Sequence, residues 1–176
     1  MVIEEILLGL KKRLVDNKML VQSSKGYVYE AEFYFNDPAT GKLIEEFQKT
    51  TPFLLPNDYR NFLSVHNGFT IFKGEFEGQI ELYRLEDIQK EYHVFRDAFY
   101  HYLVEEKQDS YPIGYYTDIG MLMINNEKVK QGLSDYLWIT SIDDIDLNTS
   151  FEVWLDRAIM SQGNHYWSWG RSSDCC

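Results

Sequence analysis

The chain has 176 residues, 44% hydrophobic and 16% aromatic, which is enough for one domain with a real core and too apolar for a disordered composition. Asp and Glu number 28 against 17 Lys and Arg, and the formal net charge of −11 weighs against direct binding to nucleic acid or anionic membranes. That charge favours association with a basic partner, although acidity for solubility alone accounts for it equally well. No stretch approaches the roughly 18–20 apolar residues that span a bilayer. The start, Met-Val-Ile-Glu-Glu, lacks the basic flank of a secretory signal, so the expected location is the cytoplasm.

Ile3, Ile6, Leu7, Leu10 and Leu14 recur at helical spacing and predict an amphipathic helix with Glu4, Glu5, Lys12 and Arg13 on its outer face. After Gly26 the period changes to two. Tyr27, Tyr29, Ala31, Phe33 and Phe35 line one side of an aromatic strand, closed by a turn at Asn36-Asp37-Pro38 with Gly41. Residues 42–50 fit a short helix or a returning strand. Leu55-Pro56-Asn57-Asp58-Tyr59 opens a second helix, with Pro56 suited to the first helical position and Asp58 favourable beside the N-terminus. Tyr59, Phe62, Leu63 and His66 form its stripe, and Asn67-Gly68 ends it. In the last turn of that helix His66 is expected to gain from the dipole as an imidazolium.

Phe69–Phe72 and Gln79–Tyr83 read as strands around a Gly74–Gly78 loop. Leu85–Ile88 leads into a long helical stripe of Tyr92, Phe95, Phe99, Tyr102 and Leu103. Strand character resumes at 111–115 and 121–125, a polar loop follows at 126–132, and 136–142 is a further apolar strand. Thr149 and Glu152 fit a capping box for a last helix whose buried face is Phe151, Trp154, Leu155, Ala158 and Ile159. Strands joined by short turns imply an α+β class with a mainly antiparallel central sheet flanked by helices. With no linker or repeat, the expected organisation is a single domain over 1–164 and an aromatic C-terminal tail over 165–176. Within that tail Trp167 and Trp169 are expected to pack over the core, the alternative being an exposed aromatic anchor.

No phosphate-binding glycine loop, nucleophile elbow, zinc-protease motif or C-x-x-C occurs, so an enzyme is not expected, nor a cofactor. His66, His93, His101 and His165 read as structural or surface residues. Cys175 and Cys176 are adjacent and read as free thiols in a reducing compartment. Two acidic groups stand out: Glu75, Glu77, Glu81, Glu86 and Asp87 around the Gly74–Gly78 loop, and Asp143, Asp144 and Asp146 before the last helix. The spacing of the second group is not that of an EF-hand, and no metal site is expected. Both groups read as solvated faces or as a protein-binding surface.

The segment LPNDYRNFLSVHNGF (Leu55–Phe69) resembles the SUKH superfamily, the group named for the Smi and Knr cell-wall regulators of yeast. IELYRLEDI (Ile80–Ile88), YPIGYYTDIGMLMIN (Tyr111–Asn125) and SFEVWLDRAI (Ser150–Ile159) are similar to the later blocks of that family in the expected order. The aromatic strand Tyr27–Phe35 and the Trp-rich end depart from its commonest form. The resemblance implies an α+β fold with a central antiparallel sheet. It also implies an immunity protein that binds a cognate bacterial polymorphic toxin, often a basic nuclease domain, and neutralises it by occlusion. The alternative is a non-enzymatic regulatory scaffold. On the first reading the toxin-binding residues are Glu75, Glu77, Glu81, Glu86, Asp87, Asp143, Asp144 and Asp146.

Overall fold

The computed structural model describes residues 3–75 and 78–169, so that Glu77, Cys175 and Cys176 lie outside the described residues. Eight strands form one antiparallel sheet in sequence order: β1 (Lys18–Gln22), β2 (Val28–Phe35), β3 (Phe69–Lys73), β4 (Ile80–Leu82), β5 (Ser110–Tyr116), β6 (Gly120–Asn125), β7 (Leu137–Ile139) and β8 (Ile145–Asp146). The fold is therefore α+β. The inward row predicted for the aromatic strand holds at its centre, where Ala31 and Phe33 are fully buried, while Tyr27 stays exposed outside β2.

Two strands have no counterpart in the periodicity. β1 turns Met19 and Val21 to the core and leaves Leu20 exposed between them, an alternation that its continuous apolar run Met19-Leu20-Val21 does not display. A tight turn sets it up: Val15 and Lys18 exchange two backbone bonds of 2.9 Å across Asp16 and Asn17, both at positive φ. β8 is two residues long. The sheet ends are thus blunted, β8 by its length and β1 by side chains. The backbone N–H of Gln22 donates to Gln162 Oε1 (2.6 Å), and Asn164 Nδ2 donates to the Gln22 carbonyl (2.9 Å).

Six helices accompany the sheet among the described residues: α1 (Ile3–Lys11), α2 (Gly41–Thr50), α3 (Asn57–Val65), α4 (Ile88–Phe99), α5 (Asn126–Lys130) and α6 (Phe151–Met160). α1, α3 and α6 pack together on one sheet face, over Ile71, Ile80, Leu82, Leu122 and Ile139. The opposite face holds a smaller cluster in which Phe95 of α4 meets Met123 and Trp138. The ambiguous segment 42–50 is helical because Thr40 caps it, accepting from the Leu43 N–H at 3.2 Å, and it buries Ile44 and Phe47. The polar loop expected at 126–132 instead contains α5, whose cap is Asn125. The strand expected over 136–142 is β7 over 137–139, extended by backbone bonds of Tyr136 and Thr140 to β6, and it stops short of Ile142.

The predicted stripe of α4 is buried at Phe95 and fails beyond it. The helix ends at Phe99, a 3₁₀ turn follows at Tyr100–Tyr102, and Tyr102 is 86% exposed because no element lies beneath it. α3 also ends differently from expectation. Its C-cap is His66, and Gly68 (φ +84) serves a close approach instead: a Cβ there would stand 2.5 Å from the Leu82 carbonyl oxygen.

Two polar networks lock the helical layer. Asp58, in the first turn of α3, accepts from the Tyr59 N–H (2.9 Å), from Tyr136 Oη (2.5 Å) and from the Glu152 N–H of α6 (2.9 Å). Tyr136 Oη in turn accepts from the Phe151 N–H at 3.0 Å. The expected capping box is therefore replaced: Ser150 is the N-cap, and Asp58 and Tyr136 satisfy α6 donors from far away in sequence. In the second network His66 is buried between α1 and the β2–α2 turn. Its Nδ1–H donates to the Asn36 carbonyl (2.6 Å), which leaves Nε2 to accept from Lys11 Nζ (2.6 Å). Burial first, and the Lys11 charge as well, hold its pKa below the ordinary value, outweighing the Asn36 bond and the Asp37 charge. His66 is thus a neutral imidazole, contrary to the imidazolium expected.

Asp58→Ala should cost about 3 kcal/mol in urea denaturation, since it strands donors at the start of α6, and Asp58→Asn should cost less. The depressed His66 pKa makes its contribution full above the ordinary imidazole value of 6.5 and lost as pH falls through the folded value. Between pH 7 and pH 5 the wild type should therefore lose more stability than His66→Gln does in paired denaturation series.

Candidate functional site

The sheet face opposite the main core is only partly covered. Glu81, Tyr115, Met121 and Thr140 stand in one cross-strand row there, Glu81 opposite Tyr115 and Tyr115 opposite Met121, with Met121 bonded to Thr140. α4 covers the Met123–Trp138 end of this face and stops at Phe99. Beyond it lies a groove of about 640 Å³. Tyr115, Met121 and Thr140 form its floor. One wall is Phe99, Tyr102 and Leu103, and the other is the segment Ser141–Asp144, in which Ile142 is 102% exposed. The strand expected to bury Ile142 does not reach it.

The groove base is held in place. The Met121 N–H donates to Thr140 Oγ1 (2.8 Å) and the Thr140 N–H to the Met121 carbonyl (3.0 Å). Gly120, at positive φ, lies so close to Thr140 that a Cβ would meet the Thr140 carbonyl oxygen. At one end Lys107 binds Asp146 (3.0 Å) and Asp144 (3.4 Å), with its ammonium 4.7 Å from the centre of the Trp138 ring. Its side chain is only 12% exposed.

The eight acidic residues singled out in the sequence divide accordingly. Asp143 and Asp144 line the groove, and Asp143 has no ion-pair partner among the described residues. Glu81 does not line the groove; it continues the floor row beyond Tyr115, three strand spacings or about 14 Å from Thr140, and the row runs on to Thr70 of β3. Asp146 adjoins the groove through Lys107. Glu86 instead braces a turn: it accepts from Asn67 Nδ2 (2.7 Å), while Asn67 Oδ1 accepts from the Leu85 N–H (2.8 Å). Asp87 precedes α4 and Glu75 is exposed after β3; neither lines the groove. No three His, Cys, Asp or Glu converge as metal ligands would among the described residues. The apolar lining was missed because Phe99, Tyr102 and Ile142 read as core by period. In the aromatic segment after α6, Trp167 packs edge-on against Tyr116 (5.2 Å) and Trp169 is exposed.

The model of the SMI1 / KNR4 family (SUKH-1) matches residues 38–157, more than half of the chain. The chain belongs to this family. Two relatives from Bacillus subtilis (strain 168), the uncharacterized proteins YobM and YnaB, are each 36% identical to it. The YobM match spans 171 residues, 92% of this chain and 88% of YobM, and the YnaB match spans 142 residues, 78% of this chain and 88% of YnaB. The SMI1 / KNR4 match contains the whole groove lining from Phe99 to Asp144, whereas α1, β1 and β2 precede it. No helix among the described residues is long and apolar enough to cross a membrane.

Lys107→Met should cost about 1 kcal/mol of stability, because it leaves Asp144 and Asp146 facing each other, and added salt should narrow the difference in thermal melts.

Proposed function

We propose that this SMI1 / KNR4 family protein is a cytoplasmic, non-enzymatic immunity protein that binds a cognate bacterial toxin, a basic nuclease domain, and neutralises it by occlusion. The observation that carries the reading is the acid-margined apolar groove on a chain of net charge −11. A nuclease site is cationic because it must hold phosphates, and a carboxylate-bearing surface competes for it on the same electrostatic terms. The apolar floor supplies what charge alone lacks, since desolvated aromatic and aliphatic contacts slow dissociation while rim charges speed association. Occlusion consumes nothing and needs no catalytic group, only a lasting one-to-one complex.

The test is co-expression with any toxin domain encoded by a neighbouring gene, followed by kinetics on the purified pair. Protection of the host and a stable one-to-one complex are expected. Glu81→Lys with Asp143→Lys should lower the association rate by about tenfold or more and flatten its salt dependence. Absence of both protection and complex would sink the proposal, and a pull-down rich in several unrelated partners would favour a regulatory scaffold.

A further inference from the structure

We infer that the groove between the end of α4 and the Ser141–Asp144 segment receives a large apolar side chain carried on a Lys- or Arg-bearing segment of the partner. The inference rests on the neutralising role proposed above and names what that role must recognise. Tyr102 and Ile142 both line the groove at 86% and 102% exposure, with Phe99 and Tyr115 also substantially exposed. Large apolar groups scattered singly are ordinary on a surface; their convergence on one concavity marks a contact site. The volume of about 640 Å³ lies within the span usual for sites that enclose a compact ligand or an inserted side chain.

The walls are pre-organised for such an insertion. The Thr140–Met121 bonds fix the base of the Ile142 segment, and Lys107 tethers Asp144 just beyond it. On the other side Gln108 holds the 3₁₀ turn, accepting from Tyr100 Oη (3.4 Å) and donating to the Leu103 carbonyl (3.5 Å). A rigid pocket loses little entropy on filling, which is what an anchor site requires.

Charge decides the occupant. Asp143 and Asp144 stand on one wall and Glu81 lies beyond Tyr115 in the floor row, whereas Lys107, which binds Asp144, is already engaged by two carboxylates. A second copy would bring another −11 against this margin and be repelled. A basic segment is attracted by the Asp143–Asp144 wall while its apolar side chain enters the groove beside it.

The probe is a library of random twelve-residue peptides displayed on phage, selected against the wild-type protein and against Tyr102→Ser/Ile142→Ser. Both replaced side chains are exposed, and an unchanged thermal melt verifies the fold; Leu20→Ser/Met160→Ser controls for loss of apolar surface elsewhere. Wild type and control should enrich peptides with an aromatic residue or Leu beside Lys or Arg. The best of these should bind the groove variant at least about tenfold more weakly in calorimetry, and added salt should weaken binding to the wild type. Enrichment of acidic or uncharged peptides, equal binding to the groove variant, or no enrichment at all would overturn the inference. Toxin protection retained by the groove variant would also overturn it while leaving neutralisation in place, whereas groove-dependent basic peptides without any protection would support it and remove the toxin role.

Discussion

The Asp58 carboxylate holds three donors that belong to three separate parts of the chain: its own helix, the segment entering β7, and the start of α6. A helix N-terminus has four N–H groups without partners inside the helix, and placing it in a packed layer demands a local or distant acceptor. Here one residue of α3 supplies acceptors to two helices, with Tyr136 Oη as relay. Burial and the Asp58 charge push the Tyr136 phenol well above its usual pKa, so it remains a donor throughout the physiological range. Because α6 also carries Phe151 and Trp154 into the main core, that core depends on where Asp58 puts the helix.

With α1, α3 and α6 committed to one face of the sheet, the other face is left to α4 alone. One helix cannot cover eight strands. Phe95, with Leu103 and Lys107 beside it, closes the region over Met123 and Trp138, and the floor at Tyr115, Met121 and Thr140 stays open. The groove is part of the uncovered face of a sheet whose opposite face took most of the helices, and its acidic edge is the β7–β8 connection with Asp143 and Asp144.

How much of this could be read in the sequence depends on the distance over which each signal acts. The helix at Tyr59, Phe62 and Leu63 and the inward row Ala31 and Phe33 were legible, because local period states which side is apolar. Period does not state whether anything covers that side, so Tyr102 and Ile142 read as core and stand at the surface. The family resemblance was legible in its motif blocks and holds over residues 38–157. His66 sits at the predicted helix end, yet its charge state is set first by its burial in the fold, with the charge of Lys11, 55 residues away, adding to it. The same applies to α6, where the local capping signal pointed to Thr149 and the decisive acceptor is 94 residues upstream. Of the acidic residues, their number was legible. Which of them border apolar surface was not, since that depends on cross-strand register.

The side-chain amides that cap β1 have a kinetic meaning. A meander in sequence order closes each strand on its predecessor, over short turns at β1–β2, β3–β4 and β5–β6 and over helical connections at β2–β3 and β4–β5. The bonds from Gln162 and Asn164 to Gln22 join residues 140 and 142 positions apart. They pin the first strand with the loop after the last helix, converting a linear succession of hairpins into a closed circuit. Peeling the sheet from its β1 edge must therefore also break the two bonds from the turn behind α6.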